Sequence, residues 1–364
     1  MPSQLRCIKV LGSKNNSHVE LCTRPDGTQT VIKYYPKISR AMLIETSILA
    51  TVNHRNVMGL IDIVSDPDRS PTVICLPVGG PTLADVLRSR PIPLTVKVAL
   101  LLQIAYGLRH THANGILHLD LKADNVLVDS LDPPACRLID FGTSEYLVSG
   151  HSSLNTYQTK CTATYRAPEG FTHRDECATV GLAADIWSFG IITHELLTGL
   201  PFPSNFPIFE ELRDSNDRDE DLYSFIHSSE FRSAVTLILP PGLDSCLLSD
   251  PKLRPCINQV IHHLTNYLDT LDPNCMIPRN FDTNLELKNS LSNSPVSICT
   301  NWYANCLYSR AMARGPANEH LIRETCEQIC ERILDYQLIS TVSLDADAVA
   351  EIIHASRGVL YHYN

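Results

Sequence analysis

Long apolar runs are missing. No window of about 18 consecutive apolar residues occurs in the 364-residue chain, so no membrane-spanning helix is expected. Basic charge is in short supply, with 30 Lys and Arg against 40 Asp and Glu and a formal charge of −10. Nucleic-acid binders carry a basic stripe, so nucleic acid is not expected as a direct ligand. No leader with a charged start and an apolar centre is expected, and the 13 cysteines are scattered and odd in number. Reduced thiols inside a cell, in the cytoplasm or the nucleus, are therefore the expectation. His110, His112 and His118 have no Cys or carboxylate at zinc spacing; His118 is expected to be a packed, hydrogen-bonded core histidine. What is present is 44% apolar residues, enough over this length for a large core and more than one compact unit.

The chemistry is concentrated in one stretch, His118-Leu119-Asp120-Leu121-Lys122-Ala123-Asp124-Asn125, followed by Asp140-Phe141-Gly142. Phosphoryl transfer from a metal-bound nucleotide goes through a loose transition state. It needs positioning, acids or amides for the metal, and a base for the acceptor hydroxyl. Asp120 is the candidate base and Lys122 a candidate phosphate contact, while Asn125 and Asp140 supply the hard oxygen ligands that Mg2+ favours. Val126-Leu127-Val128 and Cys136-Arg137-Leu138-Ile139 predict two short strands that would carry these groups on rigid supports.

His118 to Asn125 resembles the catalytic loop of eukaryotic-type protein kinases, and Asp140-Phe141-Gly142 matches their D-F-G. Thr162-Ala163-Thr164-Tyr165-Arg166-Ala167-Pro168-Glu169 looks like their A-P-E segment, Asp185 to Gly190 like the buried helix after it, and Arg254 like the arginine that pairs with the A-P-E glutamate, here Glu169. The resemblance implies an α+β, bilobal protein kinase fold, with a small β-rich N-lobe at 1–78 and a large helical C-lobe at 79–272. It also implies ATP and Mg2+ as cofactors and proteins as substrates. Lys122 with Thr162 implies serine and threonine as acceptors. The alternative is a pseudokinase scaffold acting through protein binding.

Within the small lobe, Lys33 resembles the lysine that grips the α- and β-phosphates, with Glu45 of the helical stretch 41–52 as its ion-pair partner. The nucleotide site implied by the family further includes Gly12, Val19, Val31 and Ile74, with Cys75 to Pro77 presenting backbone to the purine. The phosphate-covering loop departs from the family: Gly12-Ser13-Lys14-Asn15-Asn16-Ser17-His18-Val19 keeps only the first glycine and the valine, which predicts modest nucleotide affinity. Asp26-Gly27 predicts a hairpin turn, and Lys33 is expected to end the third strand. Helices are expected over Pro93 to Gly115, capped by Thr95, and from Pro255 to Leu268. The stretch from Pro201 to Pro241 reads as irregular, with 213–221 as a solvated charge run. Asp185 is expected to tie the catalytic-loop backbone.

Leu119 stands where most kinases have an arginine that clamps an activation-loop phosphate, so activity independent of such a phosphate is expected. In this the loop is similar to the Mos kinases. Residues 273–300 read as a linker and 301–364 as a helical extension that docks or binds a protein partner. Its apolar stripe is Leu321, Ile322, Cys326, Ile329, Cys330, Ile333 and Leu334. The extension, the reduced loop and Gly358 to Tyr363 together resemble divergent kinases of the herpesvirus group.

Overall fold

The structure, a computed structural model, describes residues 5–14, 17–35, 40–65, 72–147, 152–156, 162–171, 178–206, 208, 212 and 218–273. The expected helical extension, and the linker beyond Pro273, lie outside these residues. The chain forms two compact units, with the segment 54–58 belonging to the second although it is flanked by the first.

The first unit is an antiparallel sheet of β1 (Arg6–Lys14), β2 (Ser17–Thr23), β3 (Gln29–Tyr35), β4 (Asp62–Ser65) and β5 (Thr72–Leu76), in the order β1-β2-β3-β5-β4. It carries one described helix, α1 (Arg40–Thr51). The turn between β2 and β3 forms where Asp26-Gly27 predicts it. Gly27 takes φ 84°, and Asp26 Oδ1 accepts hydrogen bonds from the Thr28 amide at 2.9 Å and hydroxyl at 2.6 Å, the local side-chain bonding that makes Asp a turn residue. β3 runs two residues past Lys33, so Lys33 sits within the strand, not at its end.

The pleat sorts this sheet into two faces. Directly paired residues share a face. Val19, Lys33 and Ile74 form one such row across β2, β3 and β5, and Leu21, Val31 and Leu76 form another. Cys22, Ile32 and Cys75 alternate with these and stand on the opposite face.

The second unit is mainly helical. Its elements are α2 (Leu83–Ser89), α3 (Leu94–Ala113), β6 (Ile116–Leu117), β7 (Val126–Leu131), β8 (Pro134–Leu138), β9 (Glu145–Tyr146), β10 (Ser153–Thr156), β11 (Ala178–Gly181), α4 (Leu182–Thr198), α5 (Arg218–Ile226), α6 (Ser229–Ile238) and α7 (Ile257–Leu271). The strands make two-stranded ribbons: β6 with β9, β7 with β8, and β10 with β11.

Helices α3 and α4 are apolar around most of their circumference, which marks helices enclosed on all sides. Trp187, Phe189, Ile191, Ile192 and Leu196 of α4 are fully enclosed. Gly107 lets α3 approach the 54–58 segment, where a Cβ would stand 2.7 Å from the Asn56 carbonyl oxygen. Asn56 Nδ2 then donates to Gln103 Oε1 and to the Cys136 carbonyl, each at 2.9 Å. These bonds tie the segment to α3 and β8.

Two further sequence expectations require correction. Thr95 is not the cap of α3: Pro93 occupies that position and no side chain caps the helix. A proline is tolerated there because the first helical turn has no partner for its N–H groups in any case. The stretch from Pro201 to Pro241 is not irregular throughout, since it holds α5 and α6. α6 starts where the Ser228 hydroxyl accepts from the Phe231 amide at 3.1 Å, an N-cap that a charge-run reading hides. Among the described residues no helix is long and apolar enough to cross a membrane.

Candidate active site

In the first unit, Lys33 is only 8% exposed although it carries a charge. Its ammonium donates to Glu45 Oε2 at 2.7 Å, a bond from β3 to α1. The Tyr35 hydroxyl donates to the same carboxylate oxygen, and Lys33 Nζ lies 5.4 Å from the centre of the Tyr35 ring. Burial beside Glu45 pushes the Tyr35 phenol well above its ordinary range. Tyr35 was not singled out by sequence. The signal was its spacing, two residues from Lys33 on the same strand face.

Val19, Val31 and Ile74 share the Lys33 face, with Ile74 fully buried. Cys75 does not: its side chain packs with Cys22 and Ile32 on the far face, and its carbonyl accepts from the Ile61 amide at 2.9 Å. Cys75 is thereby committed to the sheet, and backbone offered at the end of β5 comes from Leu76 onward, toward half-buried Pro77. Gly12 is part of β1, paired with Val19, and open space surrounds the position of a Cβ. Ser13 pairs with His18 and Lys14 with Ser17, so the expected phosphate loop is drawn largely into strand pairing.

In the second unit the loop between β6 and β7 brings Asp120, Lys122 and Asn125 together. Asp120 is 6% exposed. Its Oδ2 accepts from Lys122 Nζ at 2.8 Å and from Asn125 Nδ2 at 3.1 Å. Its Oδ1 accepts from the Thr162 amide at 3.2 Å and hydroxyl at 3.0 Å. Lys122 Nζ also donates to Thr162 Oγ1 at 2.7 Å, so one ammonium bridges the loop to a residue 40 positions away in sequence. Asn125 Nδ2 further donates to the Asp120 carbonyl at 2.8 Å, which leaves Oδ1 as the acceptor end of that amide.

This loop is held under strain. Leu119 sits at φ 60°, a left-handed conformation that costs a non-glycine residue roughly 1–2 kcal/mol. Asp185, fully buried near the start of α4, accepts the His118 amide on Oδ2 and the Leu119 amide on Oδ1, each at 2.9 Å. His112 Nε2 bonds the same Oδ2 at 2.9 Å. Burial would raise the Asp185 carboxyl, but the hydrogen bonds and charge of His112 with the His118 contacts outweigh it and hold it below the usual range. His118 itself is fully buried, bonds the Ile139 carbonyl at 3.1 Å and packs against Phe141 with the rings tilted by 43° and their centres 4.8 Å apart. It is a structural histidine, as its lack of metal partners in sequence implies.

Asp140 follows β8 at φ 65° and begins the short turn Phe141–Thr143 without capping it through its side chain. Among the described residues no three His, Cys, Asp or Glu side chains converge to hold a metal ion. Mg2+ keeps waters and takes one or two protein oxygens plus phosphate. The donor types of Asn125 and Asp140, an amide oxygen and a carboxylate, fit that pattern.

Downstream, Glu169 and Arg254 make the expected pair, bidentate at 2.7 Å on both arms. The guanidinium also donates to the Leu248, Ala183 and Ser249 carbonyls and lies 5.1 Å from the Trp187 ring centre. A second pairing had no sequence signal beyond an acid inside an apolar helix. Glu195 of α4 accepts from the Tyr165 hydroxyl at 2.8 Å and from the Phe202 amide at 2.9 Å. Burial lifts its carboxyl to about 7, against the pull of the Phe202 and Tyr165 bonds and with a push from Asp124. Arg166 bonds Asp219 of α5 at 2.7 Å, so part of the expected solvated run is tied to the A-P-E segment.

Residues 5–265 match the family model described as protein kinase domain. The probable serine/threonine-protein kinase fhkC of Dictyostelium discoideum is 27% identical over 260 residues, covering 68% of this chain and 43% of its own length. A second Dictyostelium discoideum protein, the probable serine/threonine-protein kinase glkA, is 25% identical over 283 residues, 70% of this chain and 57% of its own. The human serine/threonine-protein kinase ULK3 is 31% identical over 173 residues, 48% of this chain and 35% of its own. The chain thus spans less than two thirds of the length of these relatives.

Proposed function

The chain belongs to the protein kinase family, and from that premise we propose that it transfers the γ-phosphoryl group of ATP, with Mg2+, to serine and threonine hydroxyls of proteins. The observation that carries this reading is the cluster of Asp120, Lys122, Asn125 and Thr162, in which every polar group but one is turned on the Asp120 carboxylate.

In this reading a substrate hydroxyl takes the place of the Thr162 hydroxyl at Asp120 Oδ1 and gives its proton to that carboxylate as it attacks. Lys122 holds Asp120 in place and offers its ammonium to the transferred phosphoryl oxygens. The Asn125 amide oxygen and the Asp140 carboxylate would hold Mg2+, which when bound neutralises phosphate charge. Lys33, steered by Glu45, would reach the inner phosphates. An intracellular location, in cytoplasm or nucleus, is part of the same proposal, which reads the cysteines as reduced thiols.

One observation favours the scaffold alternative. Ser13 and Lys14, in the stretch that in this family faces phosphate, are paired with His18 and Ser17, and on the scaffold reading this stretch holds no nucleotide. The two readings separate in one experiment, label transfer from ATP to a mixed protein substrate by the wild type, Asp120→Asn and Lys33→Met. Activity that falls about 10²–10⁴-fold in Asp120→Asn supports the enzyme. Labelling that survives loss of Asp120, or failure of the wild type to bind ATP with Mg2+, leaves the scaffold.

A further inference from the structure

Near one end of the β1–β2 pair two cysteines stand face to face. Cys7 of β1 and Cys22 of β2 are direct partners in the antiparallel register. Such partners have Cα atoms about 4.5–5.5 Å apart and side chains on one face. That lies inside the roughly 4.4–6.8 Å a disulfide requires, so a bridge here asks for side-chain rotation and not for backbone movement. Both thiols are free, Cys7 exposed and Cys22 buried at 1% exposure, and the two interact.

β1 is the strand with most to gain from a bridge. Among the described strands it has β2 as its one neighbour in the sheet, and it is exposed from Arg6 to Ser13. Its register slips twice, between Cys7 and Lys9 and between Val10 and Gly12. An edge strand held in this way belongs to the low end of local stability.

We propose that Cys7 and Cys22 are a reversible redox pair, closed by glutathione disulfide into a cross-strand disulfide that clamps β1 onto β2. Transient disulfides of this kind are the ones found in reducing compartments. The device needs neither nucleotide nor catalysis.

Exposure sets the order of the two steps. Cys7 lines a cleft with Arg6 and Arg24, whose guanidinium charge attracts an anionic disulfide, while Cys22 is closed to it. The Cys7 thiolate attacks glutathione disulfide, forms a mixed disulfide and expels one glutathione thiolate. The Cys22 thiolate then attacks the Cys7 sulfur and expels the second. Two protein thiols are oxidised, one glutathione disulfide is reduced to two thiols, and the protein's two protons pass to them. Exchange is slow at neutral pH, because desolvation and the Glu20 carboxylate raise Cys7 and push Cys22 up to about 11. Cys22 Sγ donates to Glu20 Oε2 at 3.8 Å. Glu20 is in turn bonded by His18 at 2.9 Å and by the Tyr34 phenol.

The test uses the full chain, reduced, desalted and incubated with glutathione disulfide, then blocked with N-ethylmaleimide and digested without reduction for mass spectrometry. A linked Cys7–Cys22 peptide is expected, reversed by dithiothreitol and formed about tenfold faster per unit of pH between 7 and 8, as the thiolate fraction grows. Cys22→Ser should trap Cys7 as its mixed disulfide with glutathione, and Cys7→Ser should leave Cys22 unmodified. Cys136 and Cys246, buried in the second unit, stay reduced and show that the chain remains folded. In hydrogen exchange the amides of residues 9–12 should exchange about tenfold or more slowly in the bridged protein. A mixed disulfide on Cys7 that Cys22 fails to resolve in the wild type overturns the proposal, as does a bridge from either cysteine to any other. Links between isotope-labelled and unlabelled chains in a mixture, or equal exchange of β1 in the two forms, overturn it too.

Discussion

Removing the Arg254 guanidinium tests the packing logic of the second unit. Its side chain is 0% exposed and that of Glu169 is 13% exposed, so the pair is cut off from water on one side and nearly so on the other. Breaking a buried pair by deleting one partner costs about 3–5 kcal/mol, because the survivor is left as an uncompensated charge. The two partners differ in what each would retain. Arg254 keeps three carbonyls, of Leu248, Ala183 and Ser249, if Glu169 loses its charge. Among the described residues Glu169 shows no comparable second set of donors. Arg254→Ala should therefore cost about 3–5 kcal/mol, and Glu169→Gln markedly less, about 1–2 kcal/mol, the scale of a weakened charge-assisted hydrogen bond. For a domain of this size 1 kcal/mol is about 2–4 °C in Tm, so Arg254→Ala should melt roughly 6–20 °C below wild type. Thermal and urea unfolding followed by circular dichroism give both numbers. If Glu169→Gln costs as much as Arg254→Ala, the ion pair and not the carbonyl cage dominates. If both cost under about 1 kcal/mol, the burial argument fails.

Three further outcomes are expected. Stability should show the imprint of Glu195: its carboxyl holds a proton up to about 7 when folded, against an ordinary 4.5, so the unfolded chain ionises first. Stability then falls by about 3 kcal/mol as pH rises from 4.5 to 7 and levels off above; Glu195→Gln should flatten that slope in urea melts at a series of pH values, and an unchanged slope would assign it elsewhere. Asp185 works with the opposite sign, stabilising above the usual carboxylate range and releasing that stability as pH falls through its depressed value. Asp185→Ala should cost about 3–5 kcal/mol and, in hydrogen exchange, expose the His118 and Leu119 amides; intact protection of those amides would contradict the role given to the carboxylate. If the chain is the kinase proposed, phosphatase treatment should leave turnover unchanged, because Leu119 offers no cation to an activation-loop phosphate at Ser152, Ser153 or Thr156; a loss of turnover on dephosphorylation would show that another cation does that work.

What could be read from sequence depended on how far apart the cooperating residues lie. Asp120, Lys122 and Asn125 sit within six positions, and their residue types state their chemistry without any fold. Glu169 with Arg254, 85 positions apart, was legible only through likeness to a family. Tyr35 with Glu45 left only the spacing of Tyr35 from Lys33 as a signal, and Tyr165 with Glu195 only an acid inside an apolar helix, since a tyrosine hydroxyl advertises no partner and each pairing is created by packing. Helix ends were misplaced for a local reason. Thr95 is a good cap by residue type, but Pro93 already fixes the turn and leaves Thr95 inside α3. Cys75 was misjudged because an apolar strand does not reveal which neighbours flank it. With β3 on one side and β4 on the other, it is an interior strand residue with little backbone to offer a ligand.

The contrast between Asp185 and Glu195 carries the argument one step further. Both are acids of α4 with almost no exposure, 0% and 3%, so burial alone predicts raised carboxyls for both. Asp185 receives two backbone amides, both of which point at it because Leu119 is bent into the left-handed region, and a histidine besides. Glu195 receives one amide and a phenol, and the phenol is a weaker donor to a charge than an imidazole that can itself become cationic. The outcome is a charged Asp185 and a Glu195 poised near neutrality. The strain at Leu119 therefore has a return. It turns consecutive amides onto one carboxylate, keeps that carboxylate ionised inside the core, and so fixes the backbone from which Asp120 projects. A substitution that relaxed Leu119, such as Leu119→Gly, would remove the steric cost while leaving the amides free to accept the same geometry. It should raise stability by up to about 1 kcal/mol if strain dominates and lower it by a similar amount if the added chain entropy dominates, and hydrogen exchange at His118 would tell whether the tie to Asp185 survives.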